Sequence, residues 1–150
     1  AANSAASGDQ TFKTLKDAVP PPDVSSLAVA TTSNDIILSW TNPSTAVTPD
    51  FVGVKVLRKV GSRSDNIADG TAVYTGGAET FTDGNVLKNI DYFYTVFSYD
   101  TSGNYSAGAF KSGKLTTPTP VEVCGNGLDD DGNGKIDCAD DVCKNLPACG

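Results

Sequence analysis

Residues 129–140 read D-D-D-G-N-G-K-I-D-C-A-D. Oxygen-bearing side chains alternate at Asp129, Asp131 and Asn133, and acids recur at Asp137 and Asp140. A hard divalent cation such as calcium takes roughly six to eight oxygens at about 2.3–2.6 Å. Alternate residues of a tightly wound loop turn such oxygens to one side. Gly134 stands at the sixth place, where the chain must turn and a Cβ would clash. The pattern D-x-D-x-N-G-x-I-D-x-x-D is therefore the spacing of a calcium-binding loop. It predicts ligation by Asp129, Asp131, Asn133, the carbonyl of Lys135, Asp137 (directly or through water) and Asp140. Ile136 is expected to turn inward and anchor the loop. The competing reading is an acidic, Gly-rich solvated turn, and it leaves the match at each ligand position to chance.

The spacing is that of the EF-hand loop, with one departure. Asp140 stands where a bidentate Glu usually closes the shell. Its shorter side chain predicts weaker affinity than an intracellular sensor has. No helical periodicity flanks the loop, which argues against a sensor that opens and closes.

Cysteines bracket the loop at Cys124, Cys138, Cys143 and Cys149, and the chain has no others. An even number crowded into one short segment reads as a disulfide-stapled module. Four cysteines allow three pairings, and all three remain open. Zinc fits poorly, because the chain has no C-x-x-C pair and no histidine. So small a segment buries little core and depends on staples and metal. The stretch CGNGLDDDGNGKIDCADDVC resembles the Asp-rich, Cys-flanked calcium repeat of secreted bacterial surface proteins, over about residues 122–149.

The chain has 150 residues, a formal charge of −7 and a pI near 4.3. The acidic balance argues against nucleic acid and anionic membranes as partners. No apolar run approaches the roughly 18 residues of a transmembrane segment. The opening Ala1-Ala2-Asn3-Ser4-Ala5 looks like the product of signal-peptide cleavage. Paired cysteines and a calcium loop predict a secreted protein, extracellular or at the cell surface.

Residues 20–117 lack a helical period. Short runs rich in β-branched and aromatic residues are separated by Gly, Pro, Asn, Asp and Ser. Strands are predicted over 24–30, 35–40, 51–60, 71–75, 79–82, 92–99 and 105–115. Such spacing indicates an all-β, antiparallel sandwich. The segments PPPDVSSLAV, ILSWTNP, FVGVKVLRK and DYFYTVFSYDTSGNYS resemble a bacterial fibronectin type III domain. That resemblance implies a seven-stranded sandwich with Trp40 in its core. It also implies Tyr92 as the tyrosine corner, its hydroxyl bonded back to the backbone.

Alternation along the sixth strand points Tyr92, Tyr94, Val96 and Ser98 inward, and Phe93, Phe97 and Tyr99 outward. Three aromatics on a solvated face predict a covered surface, either beneath the N-terminal tail or beneath another chain. Asp50 and Asp100 fall in loops at one pole, where turn formation is the expected role and a second calcium site the rival. Asn104-Tyr105-Ser106 is a glycosylation sequon, so attached glycans are possible.

The tail, residues 1–19, begins with little that can bury itself. It then carries Phe12-Lys13-Thr14-Leu15-Lys16, with Pro20 eight residues after the Phe. Phe110-Lys111-Ser112-Gly113-Lys114 with Pro118 repeats the pattern F-K-[ST]-x-K-x-x-x-P. The second copy belongs to the predicted last strand, so the first is an orphan of that strand. Chance, the remnant of a lost domain, and a strand that adds to another subunit's sheet through Phe12 and Thr14 are the three accounts.

Residues 118–123 form a Pro/Thr linker, and 124–150 the metal module. No nucleophile elbow or phosphate-binding glycine loop is present, and catalysis is not expected. The function expected is that of a non-enzymatic, calcium-stabilised subunit of an extracellular filament, self-associating head to tail into a homopolymer. The rival is a binding or spacer module of an adhesin or a secreted carbohydrate-active enzyme.

Overall fold

The computed structural model describes residues 15–117, 120–147 and 149. The chain forms two compact units that divide between Leu115 and Thr116. The first contains strands β1 (Ser25–Thr31), β2 (Ile36–Thr41), β3 (Phe51–Val60), β4 (Thr71–Gly76), β5 (Thr80–Asp83), β6 (Tyr92–Asp100) and β7 (Ala109–Gly113). Two antiparallel sheets face each other, in the orders β1-β2-β5 and β4-β3-β6-β7. The seven expected strands form, and β3 has the expected bounds. The last strand is shorter than its predicted range: Tyr105 and Leu115 make only isolated bridges, to Tyr99 and Lys88.

Alternation builds the core. Ile36, Leu38 and Trp40 point inward from β2, with Ser39 exposed between them. They meet Val54 and Val56 of β3 and Tyr92, Tyr94 and Val96 of β6. Trp40 is 4% exposed, and its Nε1–H donates to Asn42 Oδ1 at 2.9 Å. The indole is thus a core residue with its one polar atom satisfied. Tyr92 is the tyrosine corner, accepting a hydrogen bond at its hydroxyl from the Leu87 amide at 3.1 Å.

The outward face of β6 is covered by the sandwich's own loops. Phe97 is 2% exposed, Thr95 1% and Leu57 of β3 1%. The Ser64 amide, in the β3–β4 connection, donates to Thr95 Oγ1 at 3.2 Å. Gly108, in the β6–β7 connection, lies so close that a Cβ there would sit 2.7 Å from both Phe97 and Thr95 side-chain carbons. This corrects the expectation that Phe97 waits for the tail or another chain. Phe93 and Tyr99 are half-buried, and Tyr99 packs on Tyr105 with ring centroids 5.5 Å apart.

Phe12 and Thr14, and most of the proposed tail strand, lie outside the described residues. Leu15, Lys16, Asp17 and Ala18 are exposed and belong to no strand.

In the second unit the only regular element among the described residues is one 3-10 turn, Asp137–Ala139. Disulfides join Cys124 to Cys143 and Cys138 to Cys149, with Cα–Cα separations of 5.6 and 5.2 Å. Of the three open pairings the fold takes the interleaved one. Each bond closes a loop whose chain-entropy value is about 3 kcal/mol. Cys143 is fully buried.

Candidate metal centre

The loop after Leu128 is wound around its own first acid. Asp129 Oδ1 accepts hydrogen bonds from the amides of Gly132 (2.8 Å) and Asn133 (3.1 Å). Its Oδ2 accepts from Gly134 at 2.8 Å. Gly132 and Gly134 have φ of +75° and +87°, the left-handed region in which a Cβ is strained. The sixth-place glycine therefore has a conformational reason to be there.

One amide side chain joins Asp131 to Asp140. Asn133 Nδ2 donates to Asp131 Oδ2 at 3.0 Å and also to Asp140 Oδ2. Asp140 is 1% exposed, and its Oδ1 accepts from the Val142 amide at 2.7 Å. Those donors hold its carboxyl below the usual carboxylate range. Asp131 is pushed the other way, first by burial and then by the negative charges of Asp140, Glu122 and Asp129. Lys135 shares the loop, but its ammonium turns to Asp141 at 3.1 Å rather than into the cluster.

Glu122 was not among the residues the spacing picked out. It is 5% exposed, and its carboxylate bridges two parts of the loop. Oε2 accepts from the Asp130 amide and Oε1 from the Asp137 amide, each at 2.8 Å. Carboxylate oxygens of Glu122, Asp129 and Asp131 lie within 4.8 Å of one another. Glu122 precedes the loop by seven residues, outside the D-x-D-x-N-G template, so spacing alone could not find it. The visible signal was an acid two residues before Cys124.

Asp137, expected to face the cation, faces elsewhere. Its Oδ1 accepts from the amides of Gly125 and Asn126, and its Oδ2 from Gly127 at 2.8 Å. It caps the Cys124–Leu128 turn. Ile136 is 48% exposed and does not anchor the loop inward. Disulfides, rather than an apolar anchor, tie this loop to the rest of the module.

Chemically, Glu122, Asp129 and Asp131, with Asp140 linked to Asp131 through Asn133, make a set of oxygen ligands of high negative charge. Hard cations of the calcium class select such ligands. The set offers no thiolate, since all four cysteines are paired, and the chain has no imidazole.

A second set of acids lies in the sandwich unit. Oxygens of Asp17, Asp50 and Asp100 lie within 4.8 Å of one another. Asp100 is 2% exposed, and its Oδ1 accepts from the amides of Ser102 (2.8 Å) and Asn104 (2.9 Å). Burial pushes its carboxyl up, but the Asn104, Ser102 and Gly103 donors outweigh burial and hold it below the usual range. This is the turn-forming role expected for it. Asn104 Nδ2 donates both to Asp100 Oδ2 at 2.7 Å and to the Asp17 carbonyl at 2.9 Å. Ser106 is 7% exposed, and its Oγ accepts from the Ser98 amide. The sequon is thus folded into the structure, with the Asn104 amide occupied by hydrogen bonds. A groove of about 510 Å³ lies at the same pole, with Val19, Pro22, Val47 and Asp50 among its walls.

No protein-family model matches the chain, and no curated protein matches it. Solved structures do resemble it. The FN1–FN3 domains of chicken CNTN1 match at 16% identity and a TM-score of 0.52, over 65% of this chain and 33% of that one. This chain therefore spans about a third of that length. Domains d3–d4 of the rat CD45 extracellular region match at 14% identity and 0.50, over 75% and 74% of the two chains. A structure named FN3tt mut matches at 12% identity and 0.50, over 66% of this chain and 100% of its own. At such identities the likeness is one of fold, and the fold of the sandwich is that of a fibronectin type III domain.

Proposed function

We propose that this chain is a non-catalytic, extracellular binding or spacer module whose C-terminal part is stapled by two disulfides and held by calcium. The observation that carries the reading is the converging acid loop inside the disulfide knot. A segment with one short turn of regular structure needs covalent and metal support to hold a shape. Asp129, Asp131, Asn133 and Asp140 would hold the ion, which would neutralise carboxylates that otherwise repel. Disulfides support an oxidising, extracellular location. Among the described residues no helix is long and apolar enough to cross a membrane.

The sandwich contributes rigidity and an exposed pole. Its polar groups are arranged as caps and ties rather than as a nucleophile with a base. The groove beside Val19 and Val47 is where a binding version of the module would take a ligand, glycans included.

Calcium titration of the metal-stripped full chain tests the metal. Uptake of about one ion, with a rise in melting temperature by mass action, supports it. Uptake unchanged in Asp129→Ala plus Asp131→Ala would remove the assignment.

A second reading, a filament subunit assembling head to tail, rests on the repeated F-K-[ST]-x-K-x-x-x-P segment. An added strand would satisfy the free N–H and C=O groups of a sheet edge, and such contacts propagate. The tail copy cannot simply replace β7, because Leu15 aligns with Gly113. A Cβ at Gly113 already meets Val29 and Ile36 side-chain atoms at 2.9 and 3.0 Å. Negative-stain imaging of full-length and residue 1–18-deleted protein decides this reading. Fibres that vanish with the deletion support it, and monomers in both remove it.

A further inference from the structure

We infer that Glu122, and not Asp137, supplies the remaining carboxylate of the calcium shell. The inference rests on the calcium reading above and changes its ligand set. In the loop template the ninth residue, Asp137, contributes directly or through water. Here its two oxygens are committed to three amides of the Cys124–Leu128 turn. To reach the ion, Asp137 would have to give up those three hydrogen bonds and release the turn.

Glu122 is placed for the role. It is 5% exposed, so its charge is withheld from water by the fold. Its carboxylate lies within 4.8 Å of those of Asp129 and Asp131. The two amides it accepts, from Asp130 and Asp137, fix it against the second and ninth positions of the loop. Each hydrogen bond uses one lone pair of an oxygen that has two, which leaves the carboxylate able to bind a cation as well. A buried carboxylate beside two others, with the loop's lysine drawn off to Asp141, is costly unless a counter-charge arrives. Calcium would therefore tie residue 122 to the loop and close the module at both ends.

The test is calorimetric titration of calcium into the stripped, disulfide-intact full chain, comparing wild type, Glu122→Gln and Asp137→Asn. Both substitutions keep shape and one acceptor oxygen. The melting temperature of each is recorded with and without calcium. Glu122→Gln should weaken calcium at least about tenfold and lose most of the calcium-induced rise in melting temperature. Asp137→Asn should lower the melting temperature in both conditions and keep affinity within about threefold. If Asp137→Asn fails to fold, Glu122→Gln against wild type still decides the matter. Wild-type affinity in Glu122→Gln overturns the inference while leaving calcium in place. A wild-type chain that takes up no calcium overturns the metal reading itself.

Discussion

The Tyr94 hydroxyl donates to Asp83 Oδ2 at 3.0 Å, and in doing so joins the two sheets across the core. Tyr94 lies on β6, Asp83 ends β5, and the same oxygen accepts from Arg58 Nη1 of β3 at 2.8 Å. Arg58 also stacks over the Tyr92 ring, 5.2 Å from its centroid. Asp83 is 3% exposed, so removing either partner would leave a buried acceptor short of a donor.

Tyr94→Phe should therefore destabilise the sandwich by about 2 kcal/mol, the value of a hydrogen bond to a charged acceptor. Burial, then the Asp83 charge, pushes the Tyr94 hydroxyl well above its ordinary value. A group raised in the folded state contributes fully below its unfolded pKa, about 10, and is lost as pH rises past it. Urea unfolding of wild type should therefore weaken above about pH 10, and more steeply than that of Tyr94→Phe. Equal slopes would show that Tyr94 does not carry the alkaline limb.

Gly108→Ala should cost about 1–3 kcal/mol. Its φ is +94°, and the new methyl would press on Phe97 and Thr95. The readout is thermal unfolding, with Gly103→Ala as control. Gly103 has a φ of +83° but open space around its Cβ direction, so it carries the backbone strain without the clash.

Asp100→Asn should flatten the acid limb of the stability curve. A depressed carboxyl contributes stability above its unfolded pKa, about 3.9, and loses it as pH falls through the folded value. Wild type should thus lose stability below about pH 4 faster than the variant does. Asn104→Ala should lower stability at neutral pH by removing bonds to Asp100 and Asp17. Expression in a glycosylating host, followed by intact mass, should show little occupancy at Asn104. Full occupancy with unchanged melting would contradict the structural role given to that side chain.

Non-reducing peptide mapping should recover Cys124 with Cys143 and Cys138 with Cys149. Reduction should unfold the C-terminal unit, each bond contributing about 3 kcal/mol, while the sandwich keeps its own transition. A peptide linking Cys124 to Cys138 would contradict the interleaved topology.

Period-two patterning was legible in the sequence because a strand's side chains alternate regardless of what they meet. It placed Tyr92, Tyr94, Val96 and Ser98 inside, and all four are buried; the resemblance placed Trp40 in the core, where it lies. The acids of the loop were legible because their ligand spacing is local. Other features depend on contacts between residues distant in the chain. Phe97 points outward by its phase, yet the β3–β4 and β6–β7 connections cover that face. Asp137 matches a ligand position by count, but its carboxylate is taken by amides ten to twelve residues earlier. Glu122 matches no template and is held beside the acids by the amides of Asp130 and Asp137, eight and fifteen residues further on. The chain alone specified which residues alternate and which acids share a turn. Only the tertiary structure decided which aromatic is covered, which cysteines pair and which acid faces the cluster, because those choices depend on what distant segments bring alongside.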